Sequence, residues 1–401
     1  MEQPLVSIVI PTYNGERFIA DALNSALAQT WTRLEILVCD DASTDRTRDV
    51  VQSISDSRVL HLFHSPNVGL TLNLNRGIRA AQGKYICWLN QDDRFLPDKV
   101  QLQVNRLEAE PSLGAIFCQK ADIDEAGNPV LQSNPSQVHF RSREEALKNL
   151  FLYGVTLCAP TVMVPRRIFA EVGYFNEKLK IAFDLDMWFR ILRRFPIANL
   201  DLPLFEFRHH RHNLSGNEKN ESTILREARE VYRRAIADLE IADVAPGLAE
   251  SCSDSFERIC NFSQNFFNFG KFVWDRCPHL FRETVTLGFA EKSVRINPDF
   301  IPGYELALLA LKSGFPEDPR LEQYRTLANR KNVELNLLLQ KLRRLLLEQH
   351  LELGALVVRA ILPFAPSDPS IFQALSETYR ETGYPQFADL YDRARSQAQT
   401  H

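Results

Sequence analysis

The sequence predicts an α/β domain, built on a mostly parallel sheet with helices on both faces, followed by an all-α domain of helical hairpins. Three observations carry this expectation. Short β-branched runs alternate with amphipathic stretches through the first third of the chain, the pattern of strand–helix–strand units. No G-x-G-x-x-G or G-x-x-x-x-G-K-[ST] follows the first strand, which argues against a dinucleotide fold or a P-loop NTPase. Past Ser215 the β-branched runs vanish and long helical periodicities take over.

Val6-Ser7-Ile8-Val9-Ile10 reads as a buried strand stopped by Pro11. Arg17 to Gln29 sets Phe18, Ile19, Ala22, Leu23, Ala26 and Leu27 on one helical side. Leu34 to Cys39 is a second strand, stopped by Asp40-Asp41, and Ser43-Thr44-Asp45 reads as a cap leading into a helix over Thr47 to Ile54. Val59 to His64 is a third strand, Asn67 to Ala81 a loop and then a helix, and Tyr85 to Leu89 a fourth strand. From Gly114 to Arg208 the signals mix. Ala115 to Cys118 and Val162 to Val164 look like strands, Arg166 to Val172 and Asp186 to Arg194 like helices. The polar stretch around Asn217 marks the boundary, giving expected domains over residues 1–216 and 217–401.

In the second domain, Phe289 to Pro316 and Leu356 to Pro385 repeat one order: helix, proline-bearing turn, helix, then Gly-aromatic-Pro. Gly314 matches Gly383, and Pro316 matches Pro385. The pattern resembles tetratricopeptide-type hairpins, with a non-repetitive bundle as the other reading. Such hairpins hold a partner peptide or a second subunit, or simply pack. Lys341 to Leu347 is a basic amphipathic run, either a solvated face over a packed core or a peripheral membrane contact.

The 47 basic residues against 51 acidic ones, net charge -4, give no bulk case for nucleic-acid binding. The seven cysteines are odd in number and form no C-x-x-C pair, so they read as buried free thiols of a reducing, cytoplasmic compartment. The N-terminus lacks a basic n-region and a long apolar core, so no signal peptide is expected, and no apolar run is long enough to predict a transmembrane helix.

Ligands of parallel sheets bind beyond the carboxyl ends of the strands. Here those ends read Pro11-Thr12-Tyr13-Asn14-Gly15, Asp40-Asp41-Ala42-Ser43 and Asn90-Gln91-Asp92-Asp93. Adjacent aspartates at a strand end supply the oxygen donors that a hard divalent cation takes. Either pair alone reads first as solvated turn residues; their shared place at consecutive strand ends is what raises the cation reading.

These residues resemble an inverting family-2 glycosyltransferase of the GT-A fold. The resemblance runs through PTYNG at Pro11 to Gly15, ILVCDDASTDRT at Ile36 to Thr47, GKYICWLNQDDRFLPDK at Gly83 to Lys99, FDLDMWFR at Phe183 to Arg190 and FRHHRHNLS at Phe207 to Ser215. It implies a sugar moved from a nucleoside-diphosphate donor, UDP- or dTDP-linked, to an acceptor hydroxyl on a glycan, glycolipid or peptide. It also implies roles by position. Pro11, Thr12 and Tyr13 line the nucleotide base and ribose, Asp41 accepts from the base, and Asp92 lies near the ribose. Asp93 holds Mn²⁺ or Mg²⁺, with His210 near the diphosphate or the metal, and Asp184 is the general base. His210 fits a pattern R-x-H-x-x-N-x-S made by Arg208, His210, Asn213 and Ser215.

Three positions depart from the family. Asn90 stands where many members have the first aspartate of D-x-D, and Phe183 where a glutamate usually precedes the base, so a carboxylate partner is missing there. His209 and His212 flank His210 and read as surface or structural residues. Asp184 and Asp186 both start a helix and could serve as cap residues. Trp188 reads as core, while Tyr153 and Phe183 could stack on a sugar. A catalytically weak binding protein on the same fold is the alternative that Asn90 and Phe183 suggest.

Overall fold

A computed structural model describes residues 3–130, 142–153, 157–214, 220–240, 243, 255–276, 281–298, 300–349, 351, 354, 357–358, 361 and 369–399. The chain divides into two units, Met1–Val231 and Tyr232–His401. The expected boundary near Asn217 lies outside the described residues. The division falls inside a helix, Glu221–Asp238, whose first half belongs to the first unit.

The first unit is a GT-A-like α/β domain. Its strands β1 (Val6–Thr12), β2 (Leu34–Asp41), β3 (Val59–His64) and β4 (Tyr85–Trp88) are parallel, in the order β3-β2-β1-β4. A short antiparallel β7 (Val164–Pro165) closes the edge beside β4. A second sheet sets β5 (Arg94–Phe95) and β6 (Ala115–Ile123) on either side of β8 (Ile197–Arg208). The chain winds outward from β1 to β3 and then returns to β4 on the other side of β1. That reversal opens a crevice at the carboxyl ends of β1 and β4.

Alternation along the strands sorts the core. Ile8, Ile10, Ile36 and Val38 meet α1 (Ile19–Leu27) through Ile19, Ala22, Leu23 and Ala26, all fully buried. Val9 and Cys39 point to the other face, where α3 (Leu70–Ala80) lies so close that a Cβ on Gly77 would sit 2.4 Å from Val9 Cγ1. The helices α2 (Thr47–Ser53), α4 (Lys99–Ala109), α5 (Arg143–Tyr153), α6 (Arg166–Val172), α7 (Phe183–Leu192) and α8 (Glu221–Asp238) complete the order. Asp45 lies two residues before the first residue of α2, its carboxylate accepting from the Thr47 amide at 3.0 Å, while Arg46 stands at the N-cap with no side-chain bond. Trp188 is core, parallel to Trp88 at 6.0 Å between centroids and edge-on to Phe117.

The second unit is helical, with α9 (Ser255–Arg276), α10 (Arg282–Ile296), α11 (Ile301–Gly314), α12 (Arg320–Leu347), α13 (Pro369–Glu381) and α14 (Pro385–Gln399), and successive helices packing on one another. The first repeat spans α10 and α11 as expected; much of the first helix of the second lies outside the described residues. The matched glycines serve different needs. Gly383 adopts a left-handed φ of 90°, whereas Gly314 ends α11 against the Glu283 side chain, 2.7 Å from where a Cβ would sit. In the basic run, Leu342 and Leu346 are fully buried while Lys341, Arg343 and Arg344 are exposed, the pattern of a solvated face over a packed core. Among the described residues no helix is long and apolar enough to cross a membrane.

Candidate active site

Gln91 stitches the two sides of the crevice. Its Oε1 accepts from Thr12 Oγ1 at 2.6 Å and from the Tyr13 amide at 2.8 Å, and its Nε2 donates to the Tyr13 carbonyl at 3.2 Å. Pro11 is buried within β1 opposite Cys39, Thr12 is buried, and Tyr13 is 46% exposed, its ring available to a flat ligand. Sequence reasoning gave Gln91 no role, although a long amide between Asn90 and Asp92 was the available signal.

On β2 the paired aspartates part to opposite faces. Asp41 accepts the amides of Val68 at 2.9 Å and Gly69 at 2.8 Å, one on each carboxylate oxygen, while Asn67 Nδ2 donates to its carbonyl. Asp41 thereby shapes the loop entering α3, and Ala42 turns the chain away with a left-handed φ of 64°. Asp40 pairs with Arg48 Nε at 2.7 Å and keeps one buried oxygen without a partner.

Beyond β4 the second pair is built into a network. Asp93 is fully buried; its Oδ1 accepts the Arg208 amide at 2.9 Å and its Oδ2 accepts Asn90 Nδ2 at 2.9 Å. Asn90, the departure from D-x-D, is thus a donor that steadies Asp93. The Arg208 guanidinium donates to the Asp92 and Glu125 carbonyls and pairs with Asp21 at 3.0 Å. His210 Nε2 lies 2.8 Å from Asp92 Oδ2, and His210 Nδ1 accepts the His212 amide at 3.2 Å. A neutral His210 therefore carries its proton on Nε2 and donates to Asp92. Asn213 closes this turn, accepting from the His210 amide and donating to the Arg208 carbonyl. Ser215 lies outside the described residues. His209 pairs with Asp122 at 2.8 Å, as a structural residue would.

The donor set suits a hard cation. Burial first, and then the charge of Asp92, push the Asp93 carboxyl well above its ordinary range, an electrostatic strain that a bound cation would relieve. Each carboxylate oxygen keeps a second lone pair, and Mg²⁺ is commonly held by one or two carboxylates with phosphates completing its shell. Among the described residues no cluster of three or more His, Cys, Asp and Glu side chains forms a metal cage. His210 would join the ligands only by exchanging its proton to the nitrogen that now accepts from His212.

Asp184 starts α7 and keeps part of its surface open. Its Oδ1 accepts the Leu185 amide at 2.7 Å, and no cation pairs with it among the described residues. Burial pushes its carboxyl up to about 6. Asp186, by contrast, is tied to Arg190 at 2.8 Å, and that arginine also holds the Val172 and Tyr174 carbonyls. Cys158 joins the parts: Asp93 and Asp184 both lie near enough for their charges to add to burial in raising its thiol. Cys39, Cys87, Cys118 and Cys158 are free thiols; Cys252 and Cys277 lie outside the described residues. Phe183 packs edge-on to Phe175, and Tyr153 is 48% exposed.

Residues 7–173 match the family described as Glycosyl transferase family 2. The matched stretch lies within the first unit and is similar to that family. An uncharacterized glycosyltransferase of Rickettsia typhi is 36% identical over 192 residues, 47% of this chain and 59% of that protein. Escherichia coli chondroitin synthase is 32% identical over 49% of this chain and 28% of its own length. A putative teichuronic acid biosynthesis glycosyltransferase, TuaG of Bacillus subtilis, is 28% identical over 54% of this chain and 83% of its own. The chain thus matches a little over half the length of its Rickettsia typhi relative. The crystal structure of S. aureus TarS 1-349 with UDP covers 81% of this chain and 88% of that one, at 20% identity and a TM-score of 0.49.

Proposed function

We propose that the protein is an inverting, metal-dependent glycosyltransferase that moves a sugar from a UDP- or dTDP-linked donor to an acceptor hydroxyl in polysaccharide or glycolipid synthesis. The observation that carries this reading is Asp184: a carboxyl with no cation partner among the described residues, raised to about 6, and near enough to Cys158, as Asp93 is, for both charges to act on that thiol. A general base works best when its pKa lies near the operating pH.

In this reading Tyr13 and Thr12 border the nucleoside, and Asp41 offers a remaining lone pair to the imide N–H that uracil and thymine share. Asp92 and Asp93 would hold Mn²⁺ or Mg²⁺, and the cation would supply charge stabilisation to a departing diphosphate. His210 and Arg208 fix the two aspartates. Asp184 takes the proton from the attacking hydroxyl. One base and a direct displacement invert the anomeric carbon, and no second carboxylate is needed as a covalent nucleophile. The names of the chondroitin and teichuronic acid relatives support a polysaccharide acceptor. A peptide acceptor held by the helical unit is the second reading, motivated by its hairpin repeat.

Release of nucleoside diphosphate from a panel of UDP-, dTDP- and GDP-sugars tests the proposal. Mn²⁺-dependent release from a pyrimidine donor, lost in EDTA and lost in Asp184→Asn, is expected. Full release in EDTA would remove the aspartate pair from the metal role, and no release from any donor would favour a binding protein.

A further inference from the structure

We propose that Glu227, on α8, is a positioning residue that sets the general base Asp184 by clamping the turn that enters α7. The inference rests on the reading of Asp184 as the base. Glu227 lies beyond residues 7–173 and beyond the stretch that carries the family resemblance, so neither assigns it a role.

Glu227 is 5% exposed. Its two oxygens accept three consecutive amides: Lys180 at 3.1 and 3.0 Å, Ile181 at 2.9 Å and Ala182 at 3.2 Å. Successive amides turned to one point form a nest for an anion, and here the anion is a side chain from a helix some 45 residues downstream. Burying a carboxylate is costly unless it is fully hydrogen-bonded, and the bonds described here all go to this turn. Asp184 follows the clamped amides by two residues.

The same segment is also held by α3. Asn75 Nδ2 donates to the Phe175 carbonyl at 2.9 Å, its Oδ1 accepts the Phe175 amide at 3.0 Å, and Thr71 Oγ1 donates to the Leu179 carbonyl at 2.7 Å. The approach to α7 thus has backbone groups fixed at 175, 179, 180, 181 and 182. Phe183 occupies the place where the family resemblance expects a glutamate beside the base. Glu227 supplies a carboxylate to the start of α7 from another element instead.

The test compares Glu227→Ala, Glu227→Gln and Asp184→Asn in the full chain. The probe is whichever of UDP-glucose, UDP-N-acetylglucosamine, UDP-galactose and dTDP-rhamnose the unaltered protein splits fastest with Mn²⁺. Turnover is counted per nucleotide-binding site, so unfolded molecules drop out, and nucleotide affinity is measured beside it. Glu227→Ala should lower turnover about tenfold or more, since small misplacements of a reacting group can cost 10²-fold, with nucleotide affinity unchanged within about twofold. Glu227→Gln, which keeps one acceptor oxygen, should fall between. Hydrogen exchange at amides 180–182 should speed up in Glu227→Ala. Unchanged turnover per site in Glu227→Ala, with turnover lost in Asp184→Asn, overturns the clamp and spares the base. Normal turnover in Asp184→Asn overturns both. Equal losses of turnover and nucleotide affinity in Glu227→Ala make the residue merely structural.

Discussion

At the scale of single residues, two neighbouring aspartates of one helix have opposite circumstances. Asp184 has only a backbone partner and a carboxyl raised to about 6 from an ordinary 3.8. The folded protein therefore binds that proton more tightly than the unfolded chain does. The resulting cost is absent below about pH 4, grows through pH 6 and is fully present above it. Asp184→Asn should thus raise stability at pH 7 by about 2 kcal/mol, seen as a higher Tm, while lowering turnover about 10²–10⁴-fold. Turnover of the unaltered protein should climb with pH through about 6. Asp186→Asn should do the reverse, lowering Tm with little loss of rate, because its partner Arg190 would be left facing three carbonyls alone. A larger rate loss at Asp186 in a folded protein would move the base two residues along. Asp41→Ala should weaken UDP binding and loosen the turn at Val68 and Gly69; tighter binding of GDP than of UDP by the unaltered protein would count against a pyrimidine site.

Among the elements, the first four strands and their helices were legible because their side-chain periods are strong. The expected third strand and the helix over Arg166 to Val172 match the observed bounds. β8 was not legible. Pro203 lacks an amide to donate, and Asp201, Leu202 and Pro203 are exposed, so neither alternation nor an apolar run announces the strand. Its partner β6 accommodates this with register shifts at Gln119. The motifs placed Asp92, Asp93, His210 and Asp184 in the sequence, and the structure puts the first three in one network. Glu227 acts through backbone amides alone, which leave no mark in the residue pattern. The packing of α3 on the sheet gives an element-level test. Gly77→Ala would drive a Cβ into Val9 and Cys39, and overpacking of this kind costs about 1–3 kcal/mol, measurable by denaturant unfolding. A cost near zero would mean that α3 can shift outward without loss.

For the whole molecule, the place where the chain is cut decides what a truncation reports. A chain ended after residue 216 removes Glu227 together with the helical unit, so lost transfer could come from either. A chain ended after Asp238 keeps all of α8 and should retain nucleotide binding and nucleotide-sugar cleavage. If the helical unit serves acceptor docking or association, this longer chain should lose acceptor transfer or dimerisation and nothing else; retention of both would give the helical residues some other task. The clamp also sets an order of events during synthesis. When the ribosome has delivered Ser215, every motif that carries the glycosyltransferase resemblance has been made, yet the turn ahead of Asp184 still lacks the Glu227 carboxylate. If Asp184 is the base and Glu227 its clamp, full-rate proton transfer waits for residue 227, and a nascent chain can form the loops proposed to bind nucleotide before it can act efficiently on what they bind.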